Sequence, residues 1–289
     1  MAKLIDKKLA SSLLPVRDDN SNKSTFGKIL NIAGSELYSG AAFLSSKSAL
    51  RVGAGYVSLA CPDNIINRIA PALPEITFLP LKNDKNGAIS NENQIIDLFQ
   101  YDVVLLGCGL TTNVGVQSFV LDVINSLNNR QRLLIDADGI NILALHKGEF
   151  SIRNAVITPH PKELSRLLNV SVAEILDNRK KYARITSQTF ECITVLKGHN
   201  TIITDGEKLF ENTTGNSALA KAGTGDVLSG IISGFLAQKL SPLDAAILGV
   251  YLHGLSGDIA SEDFSKYSVL ASDVIEYLPF ALNEIIVGE

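Results

Sequence analysis

The stretch Asn216-Ser-Ala-Leu-Ala-Lys-Ala-Gly-Thr-Gly-Asp226 is the most informative part of the sequence. Its last residues lead into an apolar-periodic run that predicts a helix. Glycine lets the backbone approach a ligand closely, and the free amides at the start of a helix attract anions. Gly223, Thr224 and Gly225 are therefore predicted to cradle a phosphate. Asp226 would lie beside that phosphate, with a carboxylate able to accept a proton from a hydroxyl.

A lone Gly-x-Gly-Asp has a simpler explanation, in which Thr224 or Asp226 only caps the helix. The functional interpretation gains weight here because Asn216, Lys221 and a second apolar helix lie close by in the sequence. The order of residues required by a Walker P-loop is absent, so this stretch is not a P-loop.

Outward from this stretch, short apolar runs alternate with helix-length segments. Most runs are bounded by Gly, Pro or Asp and are typical of buried strands in a parallel sheet. The alternation predicts a three-layer α/β/α fold and a single domain over residues 1–289, with 1–24 as a mixed N-terminal arm. The predicted strands are Lys28–Ala33, Tyr56–Ala60, Val103–Leu106, Leu133–Asp136, Ala155–Thr158 and Ile193–Leu196, and the helices between them are Gly40–Val52, Glu92–Phe99, Val114–Leu127, Pro161–Leu168 and Val172–Phe190.

The pattern changes after Lys197. Two short apolar runs, Thr201–Thr204 and Lys208–Glu211, flank the turn Asp205-Gly206-Glu207, which predicts an antiparallel hairpin at one edge of the mostly parallel sheet. Three helices are predicted to complete the chain, at Thr224–Gln238, Pro242–Ser261 and Ala271–Ile285.

Composition excludes several classes of protein. The 289 residues carry 26 Lys and Arg against 30 Asp and Glu, which excludes a broadly basic nucleic-acid binder. No apolar segment is long enough for a signal peptide or a membrane span, so a soluble cytoplasmic protein is expected. Cys61, Cys108 and Cys192 are too widely spaced for a disulfide framework or a zinc site and are expected to be buried core residues.

Two motifs follow predicted strands in the second half of the chain. In Lys197-Gly-His-Asn-Thr201, the lysine can meet a phosphate and Thr201 offers a hydroxyl, although a simple turn between two strands explains the same residues. In Thr158-Pro-His-Pro-Lys-Glu163, two prolines fix the backbone around His160 at a strand end. His160 is equally consistent with a hydrogen-bonding role toward a ligand and with a surface position in a tight turn.

Three further motifs are weaker taken singly. The glycines of Gly107-Cys-Gly109 permit close approach of a ligand, and Ala33–Ala42 is a turn of small residues that opens a helix. In Asp136–Asn141 an acidic or amide side chain could contact a metal or substrate, although helix capping is the more common role. All six motifs fall at the carboxyl ends of predicted strands or at the starts of helices. This convergence predicts one site at one edge of the sheet.

Taken together, these motifs resemble those of the ADP/ATP-dependent NAD(P)H-hydrate dehydratases, members of the ribokinase-like superfamily. The resemblance covers roughly residues 25–280. It rests on Gly34-Ser35, Ser39-Gly-Ala-Ala42, Arg51-Val-Gly-Ala-Gly55, Gly107-Cys-Gly109-Leu, Asp136-Ala-Asp138, Thr158–Glu163, Val195-Leu-Lys-Gly198 and Asn216–Asp226.

The resemblance implies repair of NADH and NADPH whose nicotinamide ring has been hydrated. In that family ADP or ATP drives loss of water from the (6S) hydrate, with a divalent cation such as Mg²⁺. The residues implied for the adenine nucleotide are Lys197, Gly198, His199, Asn200, Thr201 and Gly225, and those implied for the hydrated dinucleotide are Ala42 or its neighbour Ala41, Gly109, His160 and Asp226.

One motif departs from the family's usual pattern. Asn22-Lys-Ser-Thr-Phe-Gly27 lacks the first glycine and the histidine of that pattern, which bears on an entry loop rather than on the main site.

The resemblance also carries expectations about partners. Some relatives carry a fused N-terminal epimerase domain. Only about 25 residues precede the match here, so an epimerase on a separate chain is expected. Family members are commonly tetramers, which implies a homo-oligomer.

Two other functions stay open at this point. A ribokinase-like small-molecule kinase shares Gly-Thr-Gly-Asp but yields a stable phosphorylated alcohol. A non-catalytic adenine-nucleotide sensor would keep the pocket without turnover, although the intact Asp226 argues against it. ADP is favoured over ATP, and the sequence does not distinguish NADH hydrate from NADPH hydrate.

Overall fold

The computed structural model describes residues 2–93 and 96–286. Ten strands within these ranges form one continuous sheet. They are β1 (Lys3–Ile5), β2 (Lys28–Ile32), β3 (Tyr56–Pro62), β4 (Thr77–Leu81), β5 (Val103–Leu106), β6 (Arg132–Ile135), β7 (Val156–Ile157), β8 (Ile193–Leu196), β9 (Ile202–Thr204) and β10 (Leu209–Asn212).

The sheet is mostly parallel, as predicted, in the order β1-β10-β9-β8-β7-β6-β5-β2-β3-β4. Of these ten strands, β9 alone runs against both of its neighbours. The predicted antiparallel hairpin is therefore confirmed, but it is not the outermost element. β1, which was predicted only as part of a mixed arm, pairs in parallel with β10 and covers the edge.

Helices cover both faces of the sheet, which confirms the three-layer prediction. One face carries α1, α2, α3, α9, α10 and α11, and the other carries α4 and α5, with α6, α7 and α8 toward the hairpin end. The helices are α1 (Lys7–Ser12), α2 (Ser39–Arg51), α3 (Asp63–Ile69), α4 (Val114–Ser126), α5 (Asp138–Leu145), α6 (Pro161–Leu168), α7 (Val172–Asp177), α8 (Arg179–Phe190), α9 (Thr224–Ala237), α10 (Pro242–Ser268) and α11 (Ala271–Ile286).

The central strands are apolar on both faces because each face is covered by helices. In β5, Val103 and Leu105 pack under one helical layer, while Val104 and Leu106 pack under the other. Among residues 2–93 and 96–286, no helix is both long and apolar enough to cross a membrane.

Three sequence predictions need correction. The segment Glu92–Phe99 is not a helix in its described part: a turn precedes Asn93, and a 3₁₀ helix occupies Leu98–Gln100. Residues 94 and 95 lie outside the described ranges. The predicted helix Val172–Phe190 is broken at Asn178, which has a non-helical backbone (φ −134°, ψ 42°) and separates α7 from α8. The helix predicted over Pro242–Ser261 extends past Ser261, and a kink at Ser265 (φ 64°, ψ 158°) interrupts it before Ser268.

The strand order places the site. From β2 the chain moves outward through β3 and β4, and then returns to lay β5 on the other side of β2. The helices that follow β2 and β5 consequently lie on opposite faces of the sheet. Such a switch point at the carboxyl edge is where open α/β sheets bind ligands. The loops after β6, β7 and β8 continue along the same edge.

Candidate active site

The start of α9 is left open for a ligand. Gly223 has φ of 93°, and a side chain there would approach Leu44 and Ala271 to within 3.0 Å. The Thr224 hydroxyl donates to the carbonyls of Leu219 and Lys221, at 2.9 Å each. No side chain of the described residues caps the helix, so the capping explanation for Thr224 and Asp226 is wrong and the first-turn amides are available to an anion.

A largely buried lysine, whose side chain is 19% exposed, lies among carboxylates beside this helix start. The Lys197 Nζ is 2.6 Å from Asp136 Oδ1 and 3.9 Å from Glu163 Oε2. The other oxygen of Asp136 accepts a hydrogen bond of 2.7 Å from the Ser229 hydroxyl, one turn into α9. Burial acts to lower the pKa of Lys197, but the two carboxylates outweigh it and hold that pKa above its usual value.

Asp226 completes this group. One oxygen of Asp226, one of Asp136 and the Cys108 sulfur lie within 4.8 Å of one another. Burial and the like charge of Asp136 raise the pKa of Asp226 to about 6, while hydrogen bonding to Cys108 and the charge of Lys197 act in the opposite direction. Cys108 is buried, as expected for all three cysteines, but its thiol faces carboxylates rather than an apolar core alone.

The backbone between the two aspartates of the loop after β6 is strained. Ala137 has φ of 47° and ψ of −116°, a conformation that L-residues rarely adopt. This residue joins Asp136 to the start of α5. Strain of this kind persists only where the surrounding structure imposes it, and it is concentrated at functional sites.

His160 and Glu163 are fixed to one another at the start of α6. The His160 Nδ1 accepts hydrogen bonds from the amides of Lys162 (3.1 Å) and Glu163 (3.2 Å), while Glu163 Oε2 accepts from the His160 amide (2.8 Å). Because Nδ1 is an acceptor, the neutral ring carries its proton on Nε2. Burial and the charge of Lys197 lower the pKa of His160, and burial raises the pKa of Glu163 to about 7.

A cavity of about 450 Å³ opens beside the helix start. One wall is the turn from Lys197 to Thr201, where the Arg179 guanidinium donates to the carbonyls of His199 (2.6 Å) and Leu196 (3.2 Å). The remaining walls are Thr224 and Gly225, the loop from Thr214 to Ala220, and the α10 residues Val250, His253 and Gly254. Every residue that the sequence assigned to the nucleotide, with the exception of Gly223, lines this cavity.

Three of the residues assigned to the dinucleotide, Ala41, Ala42 and Gly109, lie together at the switch point. Gly109 has φ of 66°, and a side chain there would lie 2.9 Å from Ala41 Cβ and 2.7 Å from Tyr38 Cβ. The Ser35 hydroxyl donates to the Gly109 carbonyl at 2.9 Å and ties the two loops together. Ala41 is half-buried, whereas Ala42 is fully buried, and a side chain at Gly34 would approach its Cβ to within 2.9 Å.

In the motif Asp136–Asn141, the second aspartate, Asp138, has mainly structural hydrogen-bond partners. Asp138 accepts hydrogen bonds from the Thr111 amide (2.8 Å) and from Asn141 Nδ2 (3.3 Å), and Asn141 accepts one from Arg166 (2.7 Å). Asp138 thus joins the loop after β5 to the start of α5.

Sequence reasoning gave no role to Glu163, Ser229 or Cys108. Glu163 carried a usable signal, because it stands three residues after His160 in the spacing of a capping box. Ser229 and Cys108 lie inside apolar runs, and only the packing of α9 against the sheet brings them to Asp136 and Asp226.

The sheet order, the uncapped Gly-Thr-Gly-Asp helix start and the adjoining cavity together define a protein of the ribokinase-like class. A family model described as NAD(P)H-hydrate dehydratase matches residues 29–280. The chain belongs to this NAD(P)H-hydrate dehydratase family.

Individual relatives agree with this assignment. The chain is 34% identical over 268 residues to an ADP-dependent (S)-NAD(P)H-hydrate dehydratase of Bacillus subtilis, covering 92% of each chain. A crystal structure of the ADP/ATP-dependent enzyme from B. subtilis, co-crystallised with ATP/Mg²⁺, superposes with a TM-score of 0.85 at 30% identity, covering 98% of this chain and 99% of that one.

A second group of relatives is longer. The chain is 36% identical to a bifunctional NAD(P)H-hydrate repair enzyme of Dictyoglomus turgidum, over 98% of this chain and 56% of that protein. The chain spans about half the length of the bifunctional relatives that it matches.

Proposed function

We propose that this protein uses an adenine nucleotide to dehydrate the (6S) hydrate of NADH or NADPH back to the intact coenzyme. The observation that carries the proposal is the position of Asp226. Its carboxylate lies at an uncapped helix start, with a cavity on one side and Cys108, in the switch-point loop after β5, on the other. A base and an anion cradle are thus adjacent, as transfer of a phosphoryl group to a hydroxyl requires.

The nucleotide is assigned to the cavity. The turn formed by Lys197, Gly198, His199, Asn200 and Thr201 would hold it from one side. The amides at Gly223, Thr224 and Gly225 would hold its terminal phosphate from the other, at the positive end of the α9 dipole.

The hydrated dinucleotide is assigned to the switch point. Ala41, Ala42 and Gly109 would supply small residues and backbone there. His160 would donate a hydrogen bond from Nε2, in exchange for its present contact with Glu163 Oε1 at 3.2 Å. The neutral state of His160 supports this role, because burial and Lys197 both lower its pKa.

The proposed chemistry has two steps. Asp226 takes the proton of the C6 hydroxyl while that oxygen attacks the terminal phosphoryl group, whose bond to the nucleotide breaks. Phosphate then leaves C6 under the push of the ring nitrogen lone pair, and loss of a proton from C5 restores the dihydronicotinamide. The balance is hydrate plus ADP giving NAD(P)H, AMP and phosphate, with ATP giving ADP in the same way.

The environment of Asp226 suits a general base. A pKa of about 6 makes its carboxylate a stronger base than an ordinary aspartate, yet leaves it mostly ionised at neutral pH. The neighbouring Lys197 and the Cys108 hydrogen bond keep that pKa from rising further.

The donor set also fits a divalent cation. Asp136, Glu163 and Asp226 place three carboxylates around a single lysine, leaving an excess of negative charge where phosphates would add more. Mg²⁺ usually binds through one or two carboxylates together with substrate phosphates. The ion would be held chiefly by the nucleotide phosphates, with these carboxylates reaching it through water, since Lys197 and Ser229 already occupy the oxygens of Asp136 and Asp226 must stay free to accept a proton. The bound ion would neutralise charge on the phosphates.

The decisive experiment follows recovery of the dihydronicotinamide absorbance from hydrated NADH, with ADP and ATP in parallel. We expect recovery with ADP at least equal to that with ATP, and release of inorganic phosphate in equal amount. Asp226→Asn should lower turnover by about 10²–10⁴-fold and leave nucleotide binding measurable. The exposed Asp122→Asn on α4 serves as the matched control.

Two results would count against the proposal. Near-normal turnover of Asp226→Asn would show that Asp226 is not the base. Consumption of nucleotide without release of phosphate, with a phosphorylated alcohol as product, would instead identify a small-molecule kinase.

We further propose that the protein acts in the cytoplasm, as a homo-oligomer, with an NAD(P)H-hydrate epimerase activity as its pathway partner.

A further inference from the structure

The loop between β10 and α9 forms one wall of the cavity, and an element behind it determines its shape. Six residues of this loop line the cavity: Thr214, Gly215, Asn216, Ser217, Leu219 and Ala220. The loop contains one 3₁₀ turn, Ser217–Leu219, and otherwise has no regular structure to hold it in place. Its position therefore depends on its contacts with α10.

Asp258 on α10 is the centre of these contacts. Its Oδ2 accepts a hydrogen bond of 2.7 Å from the Gly215 amide, and its Oδ1 accepts one of 2.7 Å from Asn216 Nδ2. Asn216 also donates to the Ser261 hydroxyl (2.9 Å), and its own Oδ1 accepts from the Ala218 amide (2.8 Å). The Asn216 side chain is thus engaged in shaping the loop.

On the same face of α10, glycines stand where the loop packs closest against the helix. A Cβ on Gly254 would lie 2.2 Å from Thr214 Oγ1 and 2.7 Å from its carbonyl carbon, and one on Gly257 would lie 2.6 Å from Leu219 Cδ2. Positions 254, 257, 258 and 261 share one helix face because they are spaced by three and four residues. Two glycines admit the loop, and a carboxylate and a hydroxyl then bind it.

We infer that Asp258 is a positioning residue for nucleotide binding, acting through the loop from Thr214 to Ala220. This inference rests on the proposed function, which puts the adenine nucleotide in the cavity. Asp258 does not line the cavity, so it would act on a bound nucleotide only through Gly215 and Asn216. Hydrogen bonds to an ionised carboxylate are stronger than neutral ones, so they hold an otherwise irregular loop in the shape that binds.

A swap of the two side chains tests the inference. In Asp258→Asn, either the Gly215 amide or the Asn216 side-chain amide faces an NH₂ group instead of an oxygen and loses its acceptor. In Asn216→Asp, two carboxylates face each other. We expect each single variant to raise the Kd for ADP about tenfold, measured by calorimetry. In the double variant, the new amide on α10 would donate to the new carboxylate on the loop and accept from the Gly215 amide. The Kd should then return to within about threefold of wild type.

Kinetics separate positioning from a general loss of structure. The single variants should raise the KM for ADP and keep both kcat at saturating ADP and the KM for the hydrate within about twofold of wild type. Glu262→Gln removes one exposed carboxylate from the next turn of α10 and should leave the Kd for ADP unchanged. Unfolding midpoints without nucleotide verify that each variant is folded.

The outcomes distinguish this inference from the proposal on which it rests. A wild-type protein that binds neither ADP nor ATP would overturn both. Wild-type binding together with an unchanged Kd in Asp258→Asn would overturn the positioning role alone. A double variant as weak as the weaker single variant would also overturn it, because the paired geometry would then not be what matters.

Discussion

The two sides of the candidate site are built from different material. The side formed by the loops after β2 and β5 consists of small residues and backbone, and a side chain at Gly109 would clash with Ala41 and Tyr38. The side formed after β8 and at the start of α9 carries the charge, with Lys197 buried between Asp136 and Glu163 and with Asp226 adjoining. The first side is fitted to shape, and the second is fitted to charge.

This difference separates two kinds of failure. A change on the shape side should alter how well one ligand fits and leave the chemistry intact. A change on the charge side should disturb every ionised group there, because the carboxylates and the lysine set one another's pKa values. Each prediction below tests one side against a matched change elsewhere.

The largest effect is expected from Lys197→Met. It leaves the Asp136 carboxylate, whose side chain is 2% exposed, without its cation, and loss of one partner from a buried pair typically costs about 3–5 kcal/mol in the free energy of unfolding. Chemical denaturation and calorimetry with ADP should show lower stability and no measurable nucleotide binding. The surface pair Lys47–Glu276 is the comparison: Lys47→Met should cost at most about 1 kcal/mol.

Adding Asp136→Asn to Lys197→Met sharpens this result. The double variant should recover most of the lost stability, since the carboxylate that was paired with Lys197 is removed together with it, and it should stay inactive. Equal losses from Lys197→Met and Lys47→Met would contradict the distinction between the buried cluster and the surface.

On the shape side, Gly109→Ala should raise the KM for the hydrate roughly 10–100-fold. Gly109 has φ of 66°, and the new methyl group would approach Tyr38 and Ala41 too closely. The Kd for ADP should not change, because the cavity lies on the other side. Gly40→Ala, at a helical position with nothing within 4 Å of the added methyl, should behave as wild type. A weaker affinity for ADP in Gly109→Ala would show that the two sides are not independent.

The pH profile tests the charge side without any substitution. Asp226 acts as a base only when ionised, so kcat/KM should fall as pH decreases through about 6, and by about tenfold between pH 7 and pH 5. The pKa of His160 is lowered, so its own titration lies below its usual range. Glu163, with a pKa of about 7, titrates closer to this change, and the fall through about pH 6 should persist in Glu163→Gln. A profile that stays flat down to about pH 5 would exclude Asp226 as the base.

The same division explains which parts of the fold were predictable. Central strands such as Val103–Leu106 and Ile193–Leu196 were located to the residue, because strands buried on both faces form uninterrupted apolar runs. β4 was not predicted: it is an edge strand, half-exposed, with Pro80 inside it. β1 has three residues, and only its pairing with β10 makes it a strand.

The failed helix at Glu92–Phe99 has a local cause. The Asn93 side chain bonds both backbone groups of Lys82, at 2.7 and 2.8 Å, and so takes the place of a neighbouring strand. Asparagine side chains compete with helical hydrogen bonding in this way, and apolar periodicity does not reveal it.

For the site, sequence motifs located backbone features better than side-chain contacts. Glycines and prolines mark sharp turns wherever they occur, so Gly109, His160 and Gly223–Asp226 were singled out from local patterns. The ion pair of Lys197 with Asp136 joins residues 61 positions apart, and the Ser229 bond spans 93 positions. Contacts of that range arise from strand order and helix packing and have no local signature.

The smallest predicted effect concerns stability. Burial and Asp136 raise the pKa of Asp226 from 3.8 to about 6, so the folded protein holds that proton more tightly than the unfolded chain does. The stability that this group contributes is fully present below about pH 4 and is lost as pH rises through about 6. Asp226→Asn should therefore melt about 2–4 °C above wild type near pH 8 and at the same temperature near pH 4. Asp122→Asn should show no such difference. If Asp226→Asn and wild type melt at the same temperature at both pH values, the ionised carboxylate does not lower the stability of the fold. A gain confined to high pH, with turnover lost, would show that this side of the site keeps a destabilising charge because the chemistry needs it.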